Sequence, residues 1–152
     1  MKIPSPTLAF LASACLLLAR GTFAATPAPA ISVERGWVRW LPANLPAAGY
    51  ATIRNDGDTP VKFIAADSAD YGMAMLHRSM QKNGKDTMEM VDALVIPAHG
   101  AVKLVPGGYH LMLMDPKHPI QPGDAVRLTL HFAGGQTVQA TWPVRPANAT
   151  GP

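Results

Sequence analysis

Apolar and polar residues alternate with a period of two along much of this chain. Between Ala125 and Phe132, Val126, Leu128, Leu130 and Phe132 fall on one face and Arg127, Thr129 and His131 on the other. Tyr109, Leu111 and Leu113 oppose His110, Met112 and Met114 in the same way. Such alternation is the mark of a half-buried β-strand. Similar runs predict strands over Ile31–Trp40, Gly49–Asn55, Val61–Ala66, Met73–Met80, Thr87–Ile96, Ala101–Val105, Tyr109–Met114, Ala125–Phe132 and Thr137–Pro143. Turn formers separate them, among them Asn55-Asp56-Gly57-Asp58, Lys82-Asn83-Gly84-Lys85, Pro106-Gly107-Gly108 and Gly134-Gly135. Beyond residue 24 no long window carries a helical stripe free of Pro and Gly, and that part of the chain holds thirteen of the fifteen prolines. Short strands at near-regular spacing predict an all-β domain, an antiparallel sandwich or Greek-key barrel.

The beginning of the chain follows a different pattern. Lys2 precedes an apolar run from Leu8 to Ala19, which is followed by Thr22-Phe23-Ala24. A positive start, an apolar middle and a small-residue cleavage site describe a secretory signal peptide. The run is shorter than the roughly 20 apolar residues a membrane-spanning helix needs, so stable membrane insertion is not expected. The expected organisation is a signal peptide over 1–24, a linker over 25–30, a β domain over 31–145 and a short tail over 146–152. Exported protein of this kind is expected in the periplasm.

Removing the leader changes the composition. Lys2 and Arg20 go with no acidic residue, so the formal charge falls from +3 to +1. No basic stripe marks a nucleic-acid surface. Cys15, the sole cysteine, lies in the leader, which excludes disulfides, thiolate metal sites and cysteine catalysis from the exported domain. A lipidated Cys15 would need a better lead-in than Ala12-Ser13-Ala14, and four apolar residues follow it. No Ser-His-Asp spacing stands out, so no enzyme is expected.

What stands out is sulfur. All seven methionines after Met1 fall between Met73 and Met114, together with His77, His99 and His110. Methionine ordinarily fills gaps in a core. If Leu111 and Leu113 point inward, however, His110, Met112 and Met114 point outward, where core packing does not explain them. Neutral thioether and imidazole donors suit Cu(I), while calcium or magnesium would need a carboxylate cluster and structural zinc favours thiolate. Residues two apart on a strand point the same way, so His110 and Met112 can converge on one ion. His77 shares a face with Met75, and Met88 with Met90, on strands joined by the Lys82–Lys85 turn, so neighbouring strands can supply the other donors.

At these residues the sequence resembles the periplasmic copper-A chaperones, the PCu(A)C family, whose motif is His, ten residues, Met, twenty-one residues, His, one residue, Met. Here it reads His77, Met88, His110, Met112. Gly36-Trp37-Val38-Arg39, Ala47-Ala48-Gly49-Tyr50, Ile96-Pro97-Ala98 and Pro106-Gly107-Gly108-Tyr109-His110-Leu111-Met112-Leu113-Met114 also look like segments of that family. The resemblance spans about Ile31 to Trp142. It implies a cupredoxin-like Greek-key β-barrel or sandwich with a surface Cu(I) site made of His77, Met88, His110 and Met112. It also implies delivery of copper toward the copper-A centre of cytochrome c oxidase, with the oxidase copper-A subunit and a Sco-type protein as partners. The chain departs from the family in carrying His99 where glycine is frequent and in placing Met90 beside Met88, and with residues 147–152 reading Ala-Asn-Ala-Thr-Gly-Pro no His/Met-rich C-terminal extension is expected.

The remaining candidates read more simply. Met73, Met75, Met80 and Met114 are expected as packing or a soft rim, and His99, His118 and His131 as solvated histidines. Trp37, Trp40 and Trp142 are expected in the core or at its edge, with a shielding role open to a tryptophan near the metal; Tyr109 is expected in the core. Copper storage through the same site and a metal-free interaction module are the alternative functions.

Overall fold

A computed structural model describes residues 30–42 and 45–152. The expected leader, and the linker as far as residue 29, lie outside the described residues. Ten strands form: β1 (Ile31–Arg39), β2 (Ala47–Asn55), β3 (Val61–Ser68), β4 (Tyr71–Lys82), β5 (Lys85–Met90), β6 (Leu94–Ile96), β7 (Gly100–Leu104), β8 (Tyr109–Pro116), β9 (Ala125–Phe132) and β10 (Thr137–Arg145). Seven of them close a ring in the order β4-β8-β2-β1-β10-β9-β3, sealed by a β3–β4 pairing, while β5, β6 and β7 flank β4, β3 and β2. Closure leaves exposed edges only on the short flanking strands. The β1–β10 pair is parallel; the other pairings are antiparallel.

The alternating strands fill the barrel as their patterns require. Val126, Leu128, Leu130 and Phe132 of β9 are buried with Leu111 and Leu113 of β8 and Phe63 of β3. Phe63 and Phe132 meet at 5.7 Å between ring centres. Trp142 is buried in the same core. Its indole lies against the backbone of Gly36, where a Cβ would come within 2.2 Å of the ring nitrogen. Trp37, by contrast, is buried on the outer side of the sheet, and Tyr109 is half-buried at the core's edge.

One expected strand divides in two. Thr87–Ile96 reads as a single run, but residues 91–93 break it because its two ends pair with different partners. β5 is bonded to β4, and β6 to β3.

Two backbone irregularities position the outer face. The register of β1 against β2 shifts between Glu34 and Trp37, with Arg35 at φ 52°. This bulge re-aims the strand so that Trp37 stands opposite Tyr50 while Val38 turns inward. The β4–β5 hairpin turns through Asn83 and Gly84, both at positive φ (53° and 73°). An Asn-Gly pair with both residues left-handed is the tight turn that matches the twist of adjoining strands.

Candidate metal centre

The pairing of β4 with β8 sets His77 opposite His110, Met75 opposite Met112 and Met73 opposite Met114. The β4–β5 hairpin then sets His77 opposite Met90 and Ser79 opposite Met88. Alternation puts His77, His110, Met75, Met112, Met88 and Met90 on one outer surface, while Leu76, Leu111 and Leu113 point into the barrel.

Within that surface His77, Met88 and His110 draw together. The His77 Nδ1 lies 3.2 Å from the Met88 sulfur. The His77 and His110 rings stand 6.0 Å apart and nearly perpendicular. Met112 shares the face of His110 two residues on, between Met75 of β4 and Ala48 of β2. Met90 is directly opposite His77 and 65% exposed, but it is Met88, one rung further along, whose sulfur reaches the imidazole.

Each histidine has a feature that suits a ligand role. Burial pushes the His77 imidazole below its usual range, and the neighbouring charge of His110 adds to the effect. The neutral ring, which has a lone pair to give, is therefore favoured. His110 is buried, with its Nδ1 3.1 Å from the Gly108 carbonyl oxygen. A carbonyl can only accept, so Nδ1 carries a proton and Nε2 is the ring nitrogen left to face a metal. This is the orienting bond that ligand histidines ordinarily make. Among the described residues no three His, Cys, Asp or Glu side chains gather as a metal cage. The donors on offer are two imidazoles and thioethers, a neutral, soft set.

Sequence reasoning left a shielding tryptophan open but missed Tyr50 and Arg39, which complete the inner wall of this site. Tyr50 lies beyond His110 at 6.5 Å between ring centres, and Trp37 beyond Tyr50 at 4.7 Å. The result is a row across four strands, Trp37, Tyr50, His110 and His77. Arg39 caps the row: its guanidinium donates a hydrogen bond to the Tyr50 hydroxyl and lies over the ring, 5.2 Å from its centre. Burial pushes the Tyr50 phenol up, and Arg39 opposes that shift. This wall excludes water from one side of His110. The alternation of Trp37 and Arg39 around inward Val38 was the available signal, but the bulge that sets its direction is not visible in the residue types.

The other histidines lie at the surface as expected, His99 and His118 exposed and His131 half-buried. What the sequence does not reveal is that each also meets a carboxylate: His99 with Asp58 at 2.9 Å, His118 with Asp70 at 3.1 Å and His131 with Asp67 at 2.7 Å. These partners are 41 to 64 residues away in sequence, so only the fold brings them together. His99 also has φ 51°, a backbone conformation in which glycine is the easy residue.

A family model described as LpqE-like, "Putative lipoprotein LpqE-like", matches residues 31–144. The chain is 33% identical over 119 residues to "Putative lipoprotein Lxx21020" of Leifsonia xyli subsp. xyli, covering 78% of this chain and 71% of that protein. Among solved structures it is similar to the apo PCuAC domain of PmoF2 (TM-score 0.67, 26% identity, 82% of this chain and 96% of that one). It is also similar to the solution structure of Cu(I)-DR1885 from Deinococcus radiodurans (TM-score 0.61, 30% identity, 84% of each chain).

Proposed function

This chain belongs to the LpqE-like family and has the fold of PCuAC domains, and from that premise we propose that it is an exported Cu(I)-binding metallochaperone. His77, Met88, His110 and Met112 hold the ion. The observation that carries this reading is the approach of the Met88 sulfur to His77 at 3.2 Å, with His110 facing the same ring. DR1885, which shares the fold, was solved with Cu(I) bound, and the donor set here is the kind that selects that ion.

The site acts by binding and transfer. Copper is its cargo. Four neutral ligands leave the complex with a single positive charge, which is tolerable at a partly buried surface. Met88 is 51% exposed on the flanking strand β5, so an incoming ligand meets it first. Thioether donors are replaced one at a time, while His110, held by the Gly108 carbonyl against the Tyr50 wall, keeps the ion in place until last. The place of work is the periplasm. The recipient is the copper-A subunit of cytochrome c oxidase, with a Sco-type protein alongside. No helix among the described residues is long and apolar enough to cross a membrane.

Anaerobic mixing of the Cu(I)-loaded protein with an apo copper-A domain tests delivery. The copper-A domain is expected to gain copper, and the Met88→Leu variant to retain less and release faster. Copper that stays on this chain with a large excess of acceptor contradicts delivery and favours storage.

A further inference from the structure

The methionines of the outer face outnumber what one copper ion requires. Beyond His77/His110, the β4–β8 ladder continues with two rungs made entirely of methionine, Met75/Met112 and then Met73/Met114. Directly opposed side chains on neighbouring strands have Cβ atoms about 4.5–5.5 Å apart, and successive rungs on one face are about 6.6 Å apart. Methionine has three rotatable bonds, so thioethers on adjacent rungs can meet. Only Met112 of these four belongs to the motif.

Packing does not account for the extra three. Leu76, Leu111 and Leu113 supply the core on the opposite face of the same strands. Met73 is 43% exposed. Met114 lines an open cleft of about 690 Å³ beside Trp40, Tyr71 and Ile120. Met75 and Met114 are half-buried on this outer face, and none of the three packs against the core, so their thioethers are available to a soft ion.

We propose that Met73, Met75 and Met114 form a second Cu(I) site, one rung along from the first and reached from the cleft beside Met114. Three neutral thioethers make a soft site for Cu(I). With no imidazole it binds more weakly than the first. Met75, opposite Met112, joins the two, so an ion captured at Met73/Met114 moves along the ladder toward His110 by exchanging one thioether at a time. No electron is transferred, and copper stays Cu(I) throughout. The inference rests on the motif residues being the tighter site.

The test is an anaerobic Cu(I) titration of the full chain carrying Cys15→Ala in every arm, followed by NMR of 13C-labelled methionine methyls. Two equivalents are expected, the second at least tenfold weaker. The first should shift the Met88 and Met112 methyls, and the second those of Met73, Met75 and Met114. Met73→Leu/Met114→Leu, which nearly conserves volume, should keep the first equivalent and lose the second. His77→Ala/His110→Ala should keep only a weak equivalent. Saturation at one tight equivalent, or a second that survives Met73→Leu/Met114→Leu unchanged, overturns this inference alone. Absence of any tight equivalent overturns the primary site and this inference with it.

Discussion

The Nδ1 of His77 lies 3.2 Å from the sulfur of Met88, diagonally across the β4–β5 hairpin, although Met90 is the residue directly opposite His77. The geometry therefore separates two methionines that the sequence leaves in competition. Met88→Leu is expected to weaken Cu(I) binding by tenfold or more, a loss of about 1.4 kcal/mol. Met90→Leu is expected to stay within about threefold, or about 0.7 kcal/mol. Competition against a chromophoric Cu(I) chelator measures both, and the reverse order would assign Met90 as the donor.

Gly36 is expected to tolerate no side chain. A Cβ there would stand 2.2 Å from the Trp142 indole nitrogen, and Trp142 is locked in the core. Gly36→Ala should cost the upper part of the roughly 1–3 kcal/mol typical of overpacking. Urea unfolding reads this directly; an unchanged midpoint would mean that the bulge yields freely.

The Asp70–His118 pair gives stability a pH signature. Burial alone would raise the Asp70 carboxyl. Hydrogen bonds from the Arg127 backbone N–H at 2.7 Å and from His118 outweigh it, and the group titrates below its usual range. The bond to Asp70, and next the one to the Pro119 carbonyl, raise the His118 imidazole. A lowered carboxyl stabilises above its unfolded value of about 3.9 and loses that contribution as pH falls through its folded value. A raised histidine stabilises fully below about 6.5 and loses its contribution as pH rises through its folded value. The pair thus contributes most between roughly pH 4 and 6.5. His118→Gln should lower Tm more at pH 5.5 than at pH 8.5, as thermal unfolding at the two values will show. Equal losses would contradict the linkage.

The exported chain is expected to begin at Ala25. Intact mass and N-terminal sequencing of protein recovered from the periplasm check this. A lipidated Cys15 at the N-terminus would instead match the lipoprotein description that its relative carries.

The barrel was legible where its strands are half-buried. In β9 the inward residues Val126, Leu128, Leu130 and Phe132 follow from alternation alone, because each side chain's direction is a local property of the strand. The motif was legible for a related reason: its spacing places His77 and Met88 on two arms of one hairpin and His110 and Met112 on one strand. Cross-strand register was not legible. Nothing local in Thr87–Ile96 says that its halves join β4 and β3. Nothing in Gly36 announces the one-residue shift that sets Trp37 on Tyr50. Long-range pairing also gave His99, His118 and His131 their carboxylates. The Tyr50 wall and the Met73/Met114 rung belong to the same class, since both exist only once strands distant in sequence are laid side by side.

The central claim is that His77, Met88, His110 and Met112 bind one Cu(I). Copper K-edge X-ray absorption on the chain loaded anaerobically with one equivalent, compared with His110→Ala/Met112→Ala, tests it most directly. Mixed imidazole and sulfur scattering in the parent protein, with tight binding lost in the double variant, is the predicted result. A spectrum without sulfur, or a variant that binds Cu(I) as tightly as the parent, would contradict it.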